Sequence, residues 1–425
     1  MGTSERFDLA VEGLIDVGAP GVVIGVLRGG EFIHRKAYGL ADLEWGTALR
    51  PECSFRIASL SKQFTATAIM CLAEQGALSI DDRLEMHLPA FDPRGRTVTL
   101  RHLLNHTSGI RNHDHGQEHR TDRVNIPREK LLTEILTAPF DFEPGDQYLY
   151  CNSGYILLGA VIEAVSGQDF EAFLKAAFFE PLGMSRTSLC LADAIIPLRA
   201  RGYVRGRSGF HNARPDPTNW SHSAGGLCST LDDLLIWDAA LRDGRAIGRD
   251  SFEHMIEPTQ LADGTLYPYG FGWGTATYGG RRLHHHTGGV SGFACQMARL
   301  TDEALTTIVL SNLYMFPFDR VTRSLLRVAM DLPPVDAQGR PAVADDFGSC
   351  GGRFSDERGV EVIIGIGQTA TARYNHLGDG RFLQAEDPEE ELRFSDLRGG
   401  QYHARDYLSP LWPAQRFVRC APSET

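Results

Sequence analysis

The sequence predicts an α+β protein in two parts: an antiparallel sheet flanked by helices, with a helical region, and after it a small antiparallel β domain. Three observations predict this. Apolar, β-branched runs stand at the start of the chain (GVVIGVLRGGEFIHRKAYGLAD) and return late (RRLHHHTGGVSGFACQMARL, ALTTIVLSNL). Helical and loop-rich patterns fill the stretch between them, and strands at both ends of such a stretch share a sheet when the chain folds as one α+β domain. A segment rich in Pro, Gly and Asp then gives way to short strands separated by turns. The expected boundaries are a first domain over 1–332, a linker over 333–346 and a β domain over 347–425.

In chain order, Gly29-Gly30 joins two apolar runs and signals a hairpin. From Phe64 onward the next segment is apolar all round, with Ala66, Ala68, Ile69, Met70, Cys71, Leu72 and Ala73. This predicts a buried helix, stopped at Gly76. TLRHLLNHTSGI and SGYILLGAVIEAVSG read as short amphipathic helices, the second ended by Gly167. A further helix opens near Ser229, with Asp232 and Asp233 where the dipole favours acidic side chains, and ends at Gly244. DRVTRSLLRVAMDL is the last helix before the linker. GVEVIIGIG, ATARYN, GRFLQA, ELRFSDL, QYHARDY and QRFVRC supply the strands of the β domain, and the acidic run AEDPEEE reads as a solvated loop.

The chain has 425 residues, 42% hydrophobic and 23% charged, which is the balance of a soluble globular protein of two or three domains. A net charge of -12 argues against nucleic acid or an anionic membrane as partner. No run approaches the roughly 18 apolar residues of a membrane span. The N-terminus MGTSERFDLAVEGL has neither a basic start nor an apolar stretch, so a cytoplasmic location is expected, or a periplasmic or secreted one where a leader has been removed. Eight scattered cysteines without a CxxC suit buried free thiols.

The polar mouth of the apolar helix raises a chemical question. Ser59-Leu60-Ser61-Lys62 is an S-x-x-K. On a helix, positions i and i+3 share a face, so hydroxyl and amine lie together, and the serine meets the positive end of the dipole. Desolvation biases a lysine at the edge of a core toward its neutral form. A neutral amine takes a proton from a hydroxyl, which makes Ser59 a candidate nucleophile. An N-cap serine with a snorkelling lysine is the purely structural alternative. Tyr150-Cys151-Asn152 is a Y-x-N on a loop before a helix. A phenol near a cationic amine ionises more readily and shuttles protons, and Asn152 is placed to hold the lysine or a substrate amide. His286-Thr287-Gly288-Gly289 stands at the start of a strand whose small residues let a substrate lie against its edge. A backbone N–H from that strand and the N–H of Ser59 would together make an oxyanion hole.

The three motifs, in this order, resemble those of the serine hydrolases of the class C β-lactamase and penicillin-recognising family. The resemblance covers about residues 10–330 and extends to LLNHTSGI, FEPG, SAGGLCSTLDDL and YGFGW. Within the family the wording SLSKQFT, YCN and PYGFG, with a β domain after the catalytic one, looks closest to the D-aminopeptidases and D-amino-acid amidases. The resemblance implies a β-lactamase/transpeptidase-like fold followed by a small β-barrel-like domain. It implies Ser59 as the acylated nucleophile and Lys62 and Tyr150 as general bases and acids. Asn152 would position substrate, His286 would line the site, and Gly288 and Gly289 would flank the oxyanion. Histidine at position 286, where class C β-lactamases carry lysine, implies poor β-lactam hydrolysis. The D-aminopeptidases carry two C-terminal β domains, and 347–425 has room for one. The implied activity is release of N-terminal D-amino acids from peptides or amides. Carboxylesterase and D-Ala-D-Ala carboxypeptidase are the alternatives within the family, and a non-catalytic peptide-binding or scaffold relative the alternative outside it. The expected partner is a small peptide, amide or ester, with a homodimer allowed; no cofactor or metal is expected.

Other residues carry less. His115 and His119 have an i, i+4 spacing, but the surrounding RNHDHGQEHRTDR is polar, contains Gly116 and lacks HExxH, so it reads as a solvated loop over the site. Tyr267, Tyr269, Phe271 and Trp273 suit pocket walls and strand packing equally. Cys151 reads as a packed thiol.

Overall fold

The computed structural model describes residues 3–16, 18–113, 126–214, 218–333, 335, 340–341, 352–355, 361–364, 374–384, 387–398 and 401–419. The chain divides into two compact units, Met1–Thr275 with Arg281–Met330, and Ala276–Gly280 with Asp331–Thr425.

In the first unit, β1 (Val22–Arg28) and β2 (Glu31–Tyr38) form the expected hairpin. Gly29 and Gly30 take φ of +61° and +93°, the left-handed pair that a two-residue turn requires. Three later strands, β3 (Arg281–Val290), β4 (Phe293–Leu300) and β5 (Leu305–Ser311), join them in the order β3-β4-β5-β1-β2. The register from Val22↔Ser311 to Arg28↔Leu305 unites the chain's first strand with its last in this unit. Every residue of β4 and β5 is buried, so both faces of these strands are covered, including the polar Gln296, Arg299, Thr306, Thr307 and Ser311.

Six helices matter for the site: α1 (Thr3–Val11), α2 (Ser61–Glu74), α3 (Leu100–Leu104), α4 (Asn152–Ser166), α5 (Leu231–Asp243) and α6 (Phe318–Ala329). α5 packs on β1 and β5, and α6 on β4 and β5. Thr230 caps α5 by accepting from the Asp233 N–H, and Gly244 ends it at φ +77°. α2 is buried from Ser61 through Met70, as its lack of a polar face requires. α4 departs from the amphipathic expectation. Ser153 through Ile162 are all buried, and the helix packs against both α2 and α3. Tyr155, Ile156, Leu157, Leu158, Val161 and Ile162 leave no polar stripe. Gly167 ends it at φ +68°, as expected.

The second unit contains an eight-stranded antiparallel sheet around Phe354, Phe382, Leu392, Phe394 and Phe417. The acidic run expected as a solvated loop is instead the start of a strand over Asp387–Arg398. Glu391 is held there by Arg381 and Arg393 (2.7 and 3.1 Å) while Leu392 and Phe394 turn into the core. Residues 385–386 and most of the expected linker lie outside the described residues, as do Cys350 and Cys420. The six described cysteines are free. Among the described residues, no helix is long and apolar enough to cross a membrane.

Candidate active site

Ala58–Leu60 makes one 3₁₀ turn that runs directly into α2, and Ser59 sits in that turn. Ala58 has φ +44°, a left-handed conformation that costs an alanine on the order of 1–3 kcal/mol and persists only where the surroundings enforce it. They do so on three sides. The Ser61 hydroxyl donates to Ala58 O (2.7 Å) and accepts the Leu227 N–H (3.1 Å). Cys295 Sγ donates to Ile57 O (3.0 Å). β3 presses on the turn at Gly288, where a β-carbon would stand 2.5 Å from Ile57 O and 2.6 Å from Cys295 Sγ. Gly288 is therefore required by close approach. The neighbouring Gly289 has room, its nearest obstacle being the Tyr314 ring at 3.9 Å.

Lys62 is wholly buried one turn further on. Its Nζ lies 3.2 Å from Ser59 Oγ, 2.8 Å from Asn152 Oδ1 and 2.7 Å from Ala224 O. The last two are pure acceptors. An ammonium donates to all three contacts. A neutral amine spends its two hydrogens on the two carbonyls and turns its lone pair to the Ser59 hydroxyl. These three contacts accommodate either protonation state. The Ala224 contact depends on the kinked helix Thr218–Gly225 lying tightly on α2 and α4. Thr65 donates to Ser223 O (2.7 Å), Ser223 donates to Tyr155 O (2.9 Å), and a β-carbon at Gly159 would stand 2.2 Å from Ser223 Oγ.

The Tyr150-Cys151-Asn152 loop arrives with α4, of which Asn152 is the first residue. Cys151, at the capping position, supplies no side-chain cap. Asn112 does so from outside, its Oδ1 accepting the N–H groups of Asn152 (2.9 Å) and Ser153 (3.2 Å). Cys151 is a packed thiol that donates to Ile110 O (3.2 Å). Lys62 Nζ stands 4.7 Å from the centre of the Tyr150 ring.

His286 lies in the middle of β3, not at its start. Its Nδ1–H donates to Thr287 O (2.6 Å), so Nε2 is the acceptor and takes the Tyr269 hydroxyl (2.9 Å). His106 Nδ1 accepts the Cys151 N–H (3.1 Å), which leaves its Nε2–H to face the Tyr269 oxygen (3.2 Å). Burial, and then the charge of Lys62, push His286 down to about 3 and His106 well below the usual imidazole range. Burial pushes the Tyr269 phenol well up. Tyr269 is thus neither simple packing nor a pocket wall; Phe271 and Trp273 are core residues, and Tyr267 stacks on Tyr148 at 3.8 Å.

Ser59, Asn152 and Gly289 open onto a pocket of about 420 Å³, with Trp220, Tyr314, Val204 and Val290 among its walls. His113 also lines it, fixed by Ser153 Oγ (3.2 Å) and Trp220 O (3.1 Å). No carboxylate is among the described lining residues. Asp114, His115, Glu118 and His119 lie outside the described residues, and among the described ones no group of three His, Cys, Asp or Glu could hold a metal. The reading by motif thus brings Ser59, Lys62, Tyr150, Asn152, Gly288 and Gly289 together, with His286 in the wall behind them. It missed His106, Asn112 and the Ala224 carbonyl. His106 and Ala224 sit inside the noted strings LLNHTSGI and SAGGL, but only the long-range fold shows what they touch.

The sheet, its covering helices and a serine beside a buried lysine at the mouth of α2 define a β-lactamase/transpeptidase-like fold. Residues 7–329 match the family described as Beta-lactamase, and the chain belongs to that family. Penicillin-binding protein 4* of Bacillus subtilis (strain 168) is 33% identical over 303 residues, 67% of this chain and 66% of that protein. The D-aminopeptidase of Brucella anthropi is 30% identical over 354 residues, 81% of this chain and 65% of its own length. The chain thus spans slightly less than two-thirds of these relatives. Among solved structures, the octameric penicillin-binding protein homologue from Pyrococcus abyssi matches at a TM-score of 0.72 and 23% identity, over 99% of this chain and 100% of that one.

Proposed function

We propose that the chain hydrolyses amide bonds through an acyl-enzyme on Ser59, releasing D-amino acids from the N-terminus of small peptides or amides. The observation that carries the chemistry is the triple contact of Lys62 with Ser59 Oγ, Asn152 Oδ1 and Ala224 O, which in the neutral amine would leave the lone pair for the Ser59 hydroxyl. In this reading Lys62, with Tyr150 beside it, takes the Ser59 proton as Oγ attacks the carbonyl carbon. The N–H groups of Ser59 and Gly289 receive the oxyanion. The proton then passes to the leaving amine as the C–N bond breaks, and water, activated by the same pair, cleaves the ester. Asn152 holds Lys62 and the substrate amide. The D-aminopeptidase relative at 30% identity supports the choice of substrate.

One observation favours a second reading, a carboxylesterase. Val204, Trp220, Val290 and Tyr314 give the pocket an apolar and aromatic side, beside Ser221, Ser291 and His113, that suits the hydrocarbon part of a simple ester. A fluorophosphonate probe with peptide mapping tests the shared chemistry: Ser59 should carry the label, and Ser59→Ala should abolish both labelling and turnover while the protein stays folded. An unlabelled Ser59 in folded protein defeats it. D-Ala-p-nitroanilide, p-nitrophenyl butyrate and a D-Ala-D-Ala peptide, assayed together, divide the substrates. Turnover of the simple ester equal to or above that of the anilide overturns the aminopeptidase choice.

A further inference from the structure

We infer that Tyr269 and His106 are positioning residues of the hydrolytic site. They form a strut of hydrogen bonds that fixes the Tyr150–Asn152 loop against the Gly288–Gly289 strand and holds His286 uncharged. The strut is directional along its whole length. It begins at the Cys151 N–H, between Tyr150 and Asn152, and runs to His106 Nδ1. From His106 Nε2–H it passes to the Tyr269 oxygen, from the Tyr269 hydroxyl to His286 Nε2, and from His286 Nδ1–H to Thr287 O, one residue before Gly288. Both ends are backbone groups of the elements that present the phenol and the oxyanion strand. The His106 carbonyl grips the same loop by accepting the Leu149 N–H (3.0 Å).

His106, Tyr269 and His286 are 1%, 5% and 5% exposed, so water cannot replace a missing link and a cut leaves polar groups stranded. His106 is itself held at φ +62°, a conformation a non-glycine keeps only when its surroundings fix it. Protonating His106 sets Nδ1–H against the Cys151 N–H. Protonating His286 removes Nε2 as the acceptor of the Tyr269 hydroxyl and breaks the strut at that link. The groups facing these rings are Lys62 from α2, Tyr148 and Tyr150 from the loop, Tyr155 from α4, and His285 from β3.

The test compares wild type, Tyr269→Phe, His106→Asn and the double variant as full chains, with thermal unfolding to confirm folding. The readouts are the second-order rate constant of fluorophosphonate labelling at Ser59 across pH 3–10, and kcat and KM on the best substrate. Tyr269→Phe should label about 10–100-fold more slowly, with KM within about threefold. Its acid limb should move to higher pH, because His286 loses the donor that favours its neutral form. His106→Asn keeps an acceptor for the Cys151 N–H and suits a positive φ, yet cuts the link to Tyr269. It should therefore lose a similar factor, and the double variant should be no worse than the slower single one. Wild-type labelling by either single variant, losses that multiply in the double, or slower labelling with an unmoved acid limb each overturn the inference. It rests on Ser59 being the nucleophile. A wild type that takes no label defeats that reading and this one with it, whereas a labelled wild type with indifferent variants defeats only the strut.

Discussion

Lys62 and His286 are two buried basic side chains of one site, and their surroundings treat them in opposite ways. Around Lys62 stand a hydroxyl and two carbonyl oxygens, which accept three hydrogens or two with equal ease. Around His286 stand a carbonyl that only accepts and a phenol already committed as donor, so one neutral tautomer fits. The first arrangement suits the amine with or without its extra proton; the second favours the neutral ring. The contrast teaches that a basic residue in a site motif need not be the base. What decides is whether its contacts are complete in both protonation states.

The largest expected effect breaks the Lys62 side of the contrast. Lys62→Met keeps the length of the side chain and removes the amine. Labelling of Ser59 should fall by about 10³-fold, within the range of general acid–base catalysis. Stability should also drop, because Ala224 O loses its donor in a buried place, at about 1–3 kcal/mol for an unsatisfied group. Labelling within tenfold of wild type would show that the amine is not the base. Gly288→Ala comes next and acts where the two halves meet. The added carbon would stand 2.5 Å from Ile57 O and 2.6 Å from Cys295 Sγ, and overpacking of this kind costs about 1–3 kcal/mol. The denaturant midpoint should fall with an unchanged slope. Labelling should slow as the strand is pushed from the turn. A stable, fully reactive Gly288→Ala would mean that β3 does not bear on Ser59 as described.

The same contrast separates what could be read from the sequence from what could not. S-x-x-K, Y-x-N and H-T-G are local strings, and their spacing alone aligns a hydroxyl with an amine and places glycines on a strand. The β1–β2 hairpin and the stops at Gly167 and Gly244 were legible for a similar reason: each depends on a few adjacent residues and a positive φ. The amphipathic reading of α4 failed because an apolar run fits one buried face or a wholly buried helix, and only packing against α2 and α3 decides between them. Tyr269 was ambiguous because its ring packs as a core residue while its hydroxyl bridges histidines at positions 106 and 286, far apart in the chain. His106, Asn112 and Ala224 were invisible as site residues because their function is a contact across 45, 40 and 162 positions. The roles of the catalytic residues came from family resemblance, which spacing could not have supplied.

Acid should act through the histidine side of the contrast. Burial lowers His286 and His222 to about 3 and His284 to about 4, from an ordinary value of 6.5. A base whose folded value is depressed binds its proton better in the unfolded chain. The stability it contributes is complete above pH 6.5 and is lost as the pH falls toward 3–4. At pH 5 the loss is on the order of 2 kcal/mol for each imidazole. Denaturant midpoints at pH 7.5 and pH 5.0 measure it, and His286→Gln should show a smaller difference between the two than wild type does. An equal or larger acid sensitivity in His286→Gln would mean that His286 is not held neutral by the fold.

The smallest effect sharpens the comparison at the loop that both bases share. Asn112 carries no chemistry of its own, but its Oδ1 accepts the first two N–H groups of α4 and so fixes where Asn152 presents its oxygen to Lys62. Asn112→Ala removes a cap from a helix whose own capping residue supplies none, at a cost of about 1 kcal/mol. Labelling should slow only severalfold, because the His106 end of the loop still holds the Cys151 N–H. Asn112→Asp keeps an acceptor and adds a negative charge where the helix dipole favours one, so it should match wild type in midpoint and in labelling rate. If Asn112→Asp loses as much as Asn112→Ala, the side chain acts by something other than capping. The position of Asn152 against Lys62 must then be set from the α2 side alone.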